Sequence, residues 1–421
     1  MTVLRLARAA LVAVLASLAV GIGTAGAQTD PASVARPPVL VTGDSLSHQA
    51  ADDIARSLGA LGYHDVRFEV WGGTTISWST DRVLEHPAPI VVFASGTFDA
   101  AWGWTPTHEE HARRAVEVLE QRGCAIWVLP AAARYPDGVR RPHPESRDGV
   151  AGIRRAVDGS GVHLAEWDLV ADALPEIHVA DGVHVSDDGQ VLYGDLVAGS
   201  VRHRCEGPDP SRTAPQARYA SWAIETLLGR DPTATAIAAW TDRLASGHPR
   251  LAFTRALTAS TAWTGTQVDD LYRRALDRDA DPAGRTYWGG LVAGGVALDA
   301  IAAHVFGSDE LIQRSGGTPS GFVTALYHRL LRREPEPPGL DFWLRTLAGG
   351  ASPPTVAASF HRSPESRGDR VDALYRLILG RSPDPAGRAA WVDALATVND
   401  LRLAALLAAS DEAYARAQTS G

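Results

Sequence analysis

Two short segments, far apart in the chain, hold residue types that can act as one chemical unit. The first is Val41-Thr42-Gly43-Asp44-Ser45-Leu46-Ser47, where an apolar run ends in glycine and helix-forming residues begin. A serine at such a turn is exposed at the carboxyl edge of a sheet, beside the free backbone N–H groups of the helix start. Its hydroxyl is a weak nucleophile until a base takes its proton. The second segment, Asp181-Gly182-Val183-His184, offers that base. An acid three residues before a histidine on a loop can hold one imidazole nitrogen while the other faces the serine. The chain order is Ser, Asp, His.

Together these segments resemble the SGNH (GDSL) hydrolase family, whose first block is Gly-Asp-Ser-Leu and whose last is Asp-x-x-His. The resemblance covers about residues 38 to 203. It implies that Ser45 is the nucleophile, His184 the general base and Asp181 the residue that orients it. It also implies an oxyanion hole made by the N–H of Ser45 and a glycine after the second strand. Trp71-Gly72-Gly73-Thr74 fits that place, with Gly73 preferred to Gly72. The third block departs from the family. Where Gly-x-Asn-Asp is expected, the chain reads Gly96-Thr97-Phe98-Asp99, and Phe98 cannot donate to an oxyanion. Losing one such donor costs about 2.7 to 4 kcal/mol. Thr97 is the neighbour expected to stand in.

Just beyond lies Phe98-Asp99-Ala100-Ala101-Trp102-Gly103-Trp104. Trp102 and Trp104, with Trp78 as a third, are expected either to line the site's rim and grip a sugar ring or acyl chain, or to pack as a lid. His108-Glu109-Glu110-His111 has its histidines too close for a zinc helix, so a solvated helix start is expected and no metal is assigned. His48 is left without a role.

The elements that would position these residues alternate from Pro38 to about His203. Strands are expected at Val39 to Thr42, Val66 to Val70, Ile90 to Ala94, Ala125 to Leu129 and Val162 to Glu166, with helices such as His48 to Leu61 and His108 to Arg122 between them. Five β-α steps predict a three-layer α/β domain on a parallel sheet, and the resemblance makes it flavodoxin-like.

At 421 residues, two or more domains are expected. Arg5 and Arg8, an apolar run from Ala9 to Val20 and Ala25-Gly26-Ala27 read as a signal peptide over residues 1–27, cut before Gln28. The run is short for a bilayer span of about 20 residues, and no other stretch is long and apolar enough to span a membrane. Cleavage removes two arginines and no acids, taking the net charge from −9 to −11. That acidity, with arginines scattered rather than clustered, argues against nucleic acid as a partner. Cys124 and Cys205 are the only cysteines. In an exported chain the pair is expected as a disulfide, the alternative being two buried free thiols.

A Pro-rich break over residues 206–216 predicts a linker between a domain at 28–205 and an all-α region at 217–421. The latter repeats itself. Leu271-Tyr272, Leu326-Tyr327 and Leu374-Tyr375 each stand 17 residues before Trp288, Trp343 and Trp391, with Arg278, Arg333 and Arg381 ten before that tryptophan. Acid-Pro-x-Gly turns at Asp281, Glu336 and Asp384 read as helix starts. A degenerate copy with Arg230 and Trp240 makes about four, at Trp-to-Trp steps of 48, 55 and 48 residues. Stacked helical units bury a core at such periods. The pattern resembles a bacterial repeat family of unknown function appended to secreted enzymes and surface proteins. Alternate acids at Asp277, Asp279 and Asp281 suggest calcium, but no bidentate glutamate closes the loop and capping is preferred.

The expected function is a secreted or cell-surface esterase forming an acyl-serine intermediate on an acylated carbohydrate, envelope polymer or lipid, without a cofactor. Surface contact would come from the repeats. The alternative is a catalytically weakened domain retained for binding or adhesion, and an acyltransferase uses the same residues.

Overall fold

The computed structural model describes residues 36–419, so the expected leader at 1–27 and its cleavage site lie outside the described residues. Two compact units emerge. One comprises residues 36–220 with 233–253 and is α/β; the other comprises 221–232 with 254–419 and is all helix.

The α/β unit is built on a five-stranded sheet with every pairing parallel, its strands lying side by side in the order of those that begin at Val66, Val39, Ile90, Cys124 and His163. Its strands are β1 (Val39–Gly43), β2 (Val66–Val70), β3 (Ile90–Ala94), β4 (Cys124–Val128) and β7 (His163–Ala165). All five fall where the apolar runs place them, within a residue or two. β1 and β3 are wholly buried, as a parallel sheet covered on both faces requires. Alternate residues serve two cores. Val39, Val41, Val92 and Ile126 face one layer of helices, and Leu40, Val91, Phe93 and Trp127 face the other. The order is that of flavodoxin-like folds, and the chain reverses direction across the sheet at β1.

The predicted helix from His48 to Leu61 is two helices, Ser45–Gln49 and Ala51–Ala60, broken at Ala50. The second predicted helix runs Pro106–Leu119, capped by Thr105. A small antiparallel hairpin, β5 (Ala133–Arg134) with β6 (Arg141–Pro142), was not visible in the sequence. Cys124, opening β4, is disulfide-bonded to Cys205.

Two boundaries need correction. The linker expected over 206–216 is helical from Pro210, within helix Pro210–Leu228. Residues 233–253 of the degenerate first copy belong with the α/β unit, where Arg243 lies over Trp240 at 5.0 Å and donates to Glu166 at 2.6 Å.

In the helical unit the repeat has a physical content. Each arginine of the motif covers the ring of the motif tyrosine, Arg278 over Tyr272 at 5.2 Å, Arg333 over Tyr327 at 4.9 Å and Arg381 over Tyr375 at 5.4 Å. Each then forks onto a glutamate further along, namely Glu310, Glu365 and Glu412. The tryptophan ring N–H donates to the tyrosine hydroxyl, at 3.1 Å from Trp288 and 3.0 Å from Trp391. The glutamates follow capping serines Ser308, Ser363 and Ser410 by two residues, a recurrence the sequence reading passed over. Ala262 stands where the degenerate copy would need its glutamate.

Candidate active site

Ser45 opens a helix at the carboxyl end of β1. Asp44 caps that helix, accepting from the Leu46 N–H at 3.2 Å. Gly43 is required here, because a Cβ would lie 2.2 Å from the Ala94 carbonyl oxygen and 2.5 Å from Ser47 Oγ. Asp44 is buried and also accepts from the Thr97 N–H at 3.1 Å. Burial pushes its carboxyl above the usual range, against these hydrogen bonds.

His184 comes from the loop closed by the isolated antiparallel bridge between His178 and Val185. Its Nε2 lies 2.9 Å from Ser45 Oγ and its Nδ1 lies 2.7 Å from Asp181 Oδ2. The other oxygen of Asp181 accepts from the N–H groups of Val183 at 2.8 Å and His184 at 2.9 Å. Burial alone would raise the Asp181 carboxyl, but the His184 hydrogen bond and the two backbone donors outweigh it and hold the pKa low. The three residues singled out from the sequence therefore meet, and Asp181 is fixed as an ionised acceptor beside the imidazole.

The loop is held by groups the sequence reading missed. Gln49, at the end of the Ser45 helix, donates from Nε2 to the Val185 carbonyl at 2.9 Å and accepts the Val185 N–H at 3.2 Å. The Tyr135 N–H donates to the Gly182 carbonyl at 3.0 Å. Gly182 has φ +71°, and a Cβ there would lie 2.5 Å from the Pro136 nitrogen, so only glycine fits. Tyr135 also stacks on buried His178 at 4.3 Å. No local pattern marks Gln49 or Tyr135, because their partners are distant in sequence.

In the turn after β2, the Trp71 N–H donates to Gly43 O at 3.0 Å and the Thr74 hydroxyl to the same oxygen at 3.1 Å. A Cβ on Gly72 would lie 3.9 Å from Ser45 Cβ, while Gly73, the preferred oxyanion donor, has open space on that side. After β3, the backbone N–H of Thr97, the neighbour expected to stand in for the missing donor, is given to Asp44. Asp99 is buried and accepts from the Ile76 N–H at 3.0 Å. Phe98 is 42% exposed, edge-on to Trp102.

The rim divides. Trp102 is 78% exposed and Trp71, not singled out before, 67%. Trp104 is not part of it: it packs against Gly149 and Gly152 and donates to Glu109 at 2.8 Å, beneath a helix rather than over the site. Trp78 carries Arg82 over its ring. His108 completes a capping box with Thr105. Asp277 pairs with Arg329, Asp279 with Arg273, and Asp281 caps its helix, so each acid weighed for calcium has a local role.

Comparison with known proteins adds the following. The family model for a domain of unknown function (DUF4214) matches residues 302–370, in the helical unit. No curated protein matches. Among solved structures, the chain is similar to a lipase/acylhydrolase from Enterococcus faecalis, at 20% identity over 39% of this chain and 95% of that one, with a TM-score of 0.34. It is also similar to the C-terminal catalytic domain of the Streptococcus pneumoniae peptidoglycan O-acetyltransferase A, at 19% identity over 41% and 96%, again with a TM-score of 0.34.

Proposed function

We propose that the protein is a serine esterase of the SGNH type, exported through the leader at 1–27, that cleaves acyl esters on a carbohydrate, envelope polymer or lipid. The observation that carries this reading is the unbroken hydrogen-bonded line Ser45–His184–Asp181, at 2.9 and 2.7 Å.

In the proposed reaction Ser45 Oγ attacks the ester carbonyl carbon while His184 Nε2 takes the hydroxyl proton. Asp181 stabilises the imidazolium that results. The N–H groups of Ser45 and Gly73 receive the oxyanion. Collapse of the tetrahedral intermediate expels the alcohol, which takes the proton back from His184 and leaves Ser45 acylated. Water, deprotonated by His184, then releases the acid; a sugar hydroxyl in its place makes the same site a transferase. Trp71, Phe98 and Trp102 offer aromatic surface to the group bearing the ester.

Phe98 favours a second reading, a domain retained for binding with the helical repeats contacting the cell surface. Turnover of p-nitrophenyl acetate and butyrate by the purified protein separates the two. Hydrolysis abolished in Ser45→Ala is expected. Absence of serine-dependent hydrolysis in folded wild type and in folded Phe98→Asn would leave the binding reading.

A further inference from the structure

Arg274 in helix Thr261–Leu276 is an anomaly. Its side chain is only 21% exposed, Nη2 is buried without a hydrogen-bond partner, and Nη1 has the Asp270 carboxylate at 3.8 Å. Buried donors are almost always paired, and an unpaired one asks for an acceptor. Burial, opposed by Asp270 and assisted by the charges of Arg370 and Arg332, holds its pKa below the usual arginine range. The repeat itself does not demand this residue. The equivalent in the next copy, Arg329, is satisfied by Asp277 at 3.0 and 2.6 Å and by the Arg274 carbonyl at 2.9 Å, and the last copy has Leu377.

Arg274 lines a cavity of about 140 Å³ with Gln267, Asp270, Arg332, Asp369 and Arg370. Arg370 is its fixed wall, 8% exposed, donating to Asp400 at 2.7 Å and to the His361 carbonyl at 2.6 Å. Its Nη2 has only Asp299 at 3.9 Å. Arg332 enters from a residue with φ +56°, a left-handed position at a helix end that the last copy fills with Gly380. The first copy holds Asp277 at the same left-handed position, φ +54°, so the backbone there does not itself call for a cation; Arg332 lines the cavity with its Nε 3.4 Å from Asp369.

We infer that this cavity is a binding site for a small oxyanion group, the carboxylate or phosphate of an acidic sugar or similar ligand, with Arg274 Nη2 as the leading donor and Arg332 and Arg370 beside it. Guanidinium groups match both anions. Asp270 and Gln267 are placed to take a hydroxyl carried next to the anionic group. Every residue lining it belongs to the helical unit.

The test is calorimetry and thermal unfolding of the full protein with sodium phosphate, sodium acetate and sodium glucuronate, each at millimolar concentration against a sodium chloride control of equal ionic strength. A saturable heat and a rise in melting temperature with at least one of the three, both lost in Arg274→Leu, are expected. Response to phosphate alone assigns a phosphate ligand, and glucuronate above acetate assigns a sugar acid. No saturable response to any of the three, or an equal response in Arg274→Leu, overturns the inference. Arg332→Gly, which installs the residue of the last copy, serves as a second variant and is expected to weaken binding at least several-fold.

Discussion

The side-chain amide of Gln49 grips the peptide of Val185 from both sides, one hydrogen bond given and one received, four residues after Ser45 and one after His184. The clamp fixes the distance between nucleophile and base without touching either. Gln49→Leu removes both bonds at similar volume. The expected outcome is a fall in kcat of about ten- to a hundredfold with little change in KM, since displacement of a catalytic group by about 1 Å costs that order. A circular-dichroism melt should show the protein still folded, with about 1 to 3 kcal/mol lost. Unchanged kcat would show that the loop holds itself.

At the oxyanion hole, Phe98→Asn places an amide donor where the chain has an exposed ring. Turnover of p-nitrophenyl acetate should rise by roughly tenfold or more, a fraction of what a preorganised donor supplies. Phe98→Ala is the control: it removes the ring without adding a donor and should give no such gain.

Acid should loosen the α/β unit through His178. Burial pushes its pKa down to about 4 from an ordinary 6.5. A histidine whose folded pKa is depressed contributes stability that is fully present above pH 6.5 and lost as the pH falls towards 4. The shift corresponds to about 3 kcal/mol. Urea midpoints measured across that window should fall for wild type and fall much less for His178→Phe, which keeps the stack on Tyr135. His248, also pushed down to about 4 by burial, acts in the same direction and should account for what remains.

The Cys124–Cys205 bond closes a loop with a sequence separation of 81 residues, which contains Asp181 and His184 but not Ser45. Closing a loop of that length restricts the unfolded chain by about 4 kcal/mol. Reduction, or the double change Cys124→Ala with Cys205→Ala, should lower the urea midpoint of the α/β unit accordingly. An unchanged midpoint would mean that the unfolded chain is already compact there.

Much of this was legible in the sequence, for physical reasons. Continuous apolar runs such as Ile90 to Ala94 exist because parallel strands are covered on both faces, and they marked the central strands of the main sheet, whereas β2 at the edge alternates as Val66-Arg67-Phe68-Glu69-Val70 and is only half-buried. Ser45, Asp181 and His184 stood out because their chemistry dictates short local spacings. What was lost depended on contacts across the chain. The break at Ala50, the two bonds of Gln49 to Val185 and the hairpin over Ala133 to Pro142 have no local periodicity. Trp102 and Trp104 look alike in sequence, yet only Trp104 has Gly149 and Gly152 to pack against. The first repeat copy was grouped by its arginine and tryptophan, while its missing glutamate went unnoticed.

The arginine-to-glutamate clasps of the repeats span 32, 32 and 31 residues, although the tryptophan steps vary between 48 and 55. The seven extra residues of the long step therefore fall outside the clasp. They lie between Glu310 and Leu326, where the short helix Asp309–Arg314 ends and a new one starts at Pro319; the corresponding stretch of the next copy is one unbroken helix, Pro364–Leu379. The repeat thus has a ruler and a slack segment. Chain length is free to change after each glutamate and is fixed before it, so a tag or inserted domain placed near Gly316 should be carried without loss of order, whereas one placed between Arg333 and Glu365 would prise a copy open.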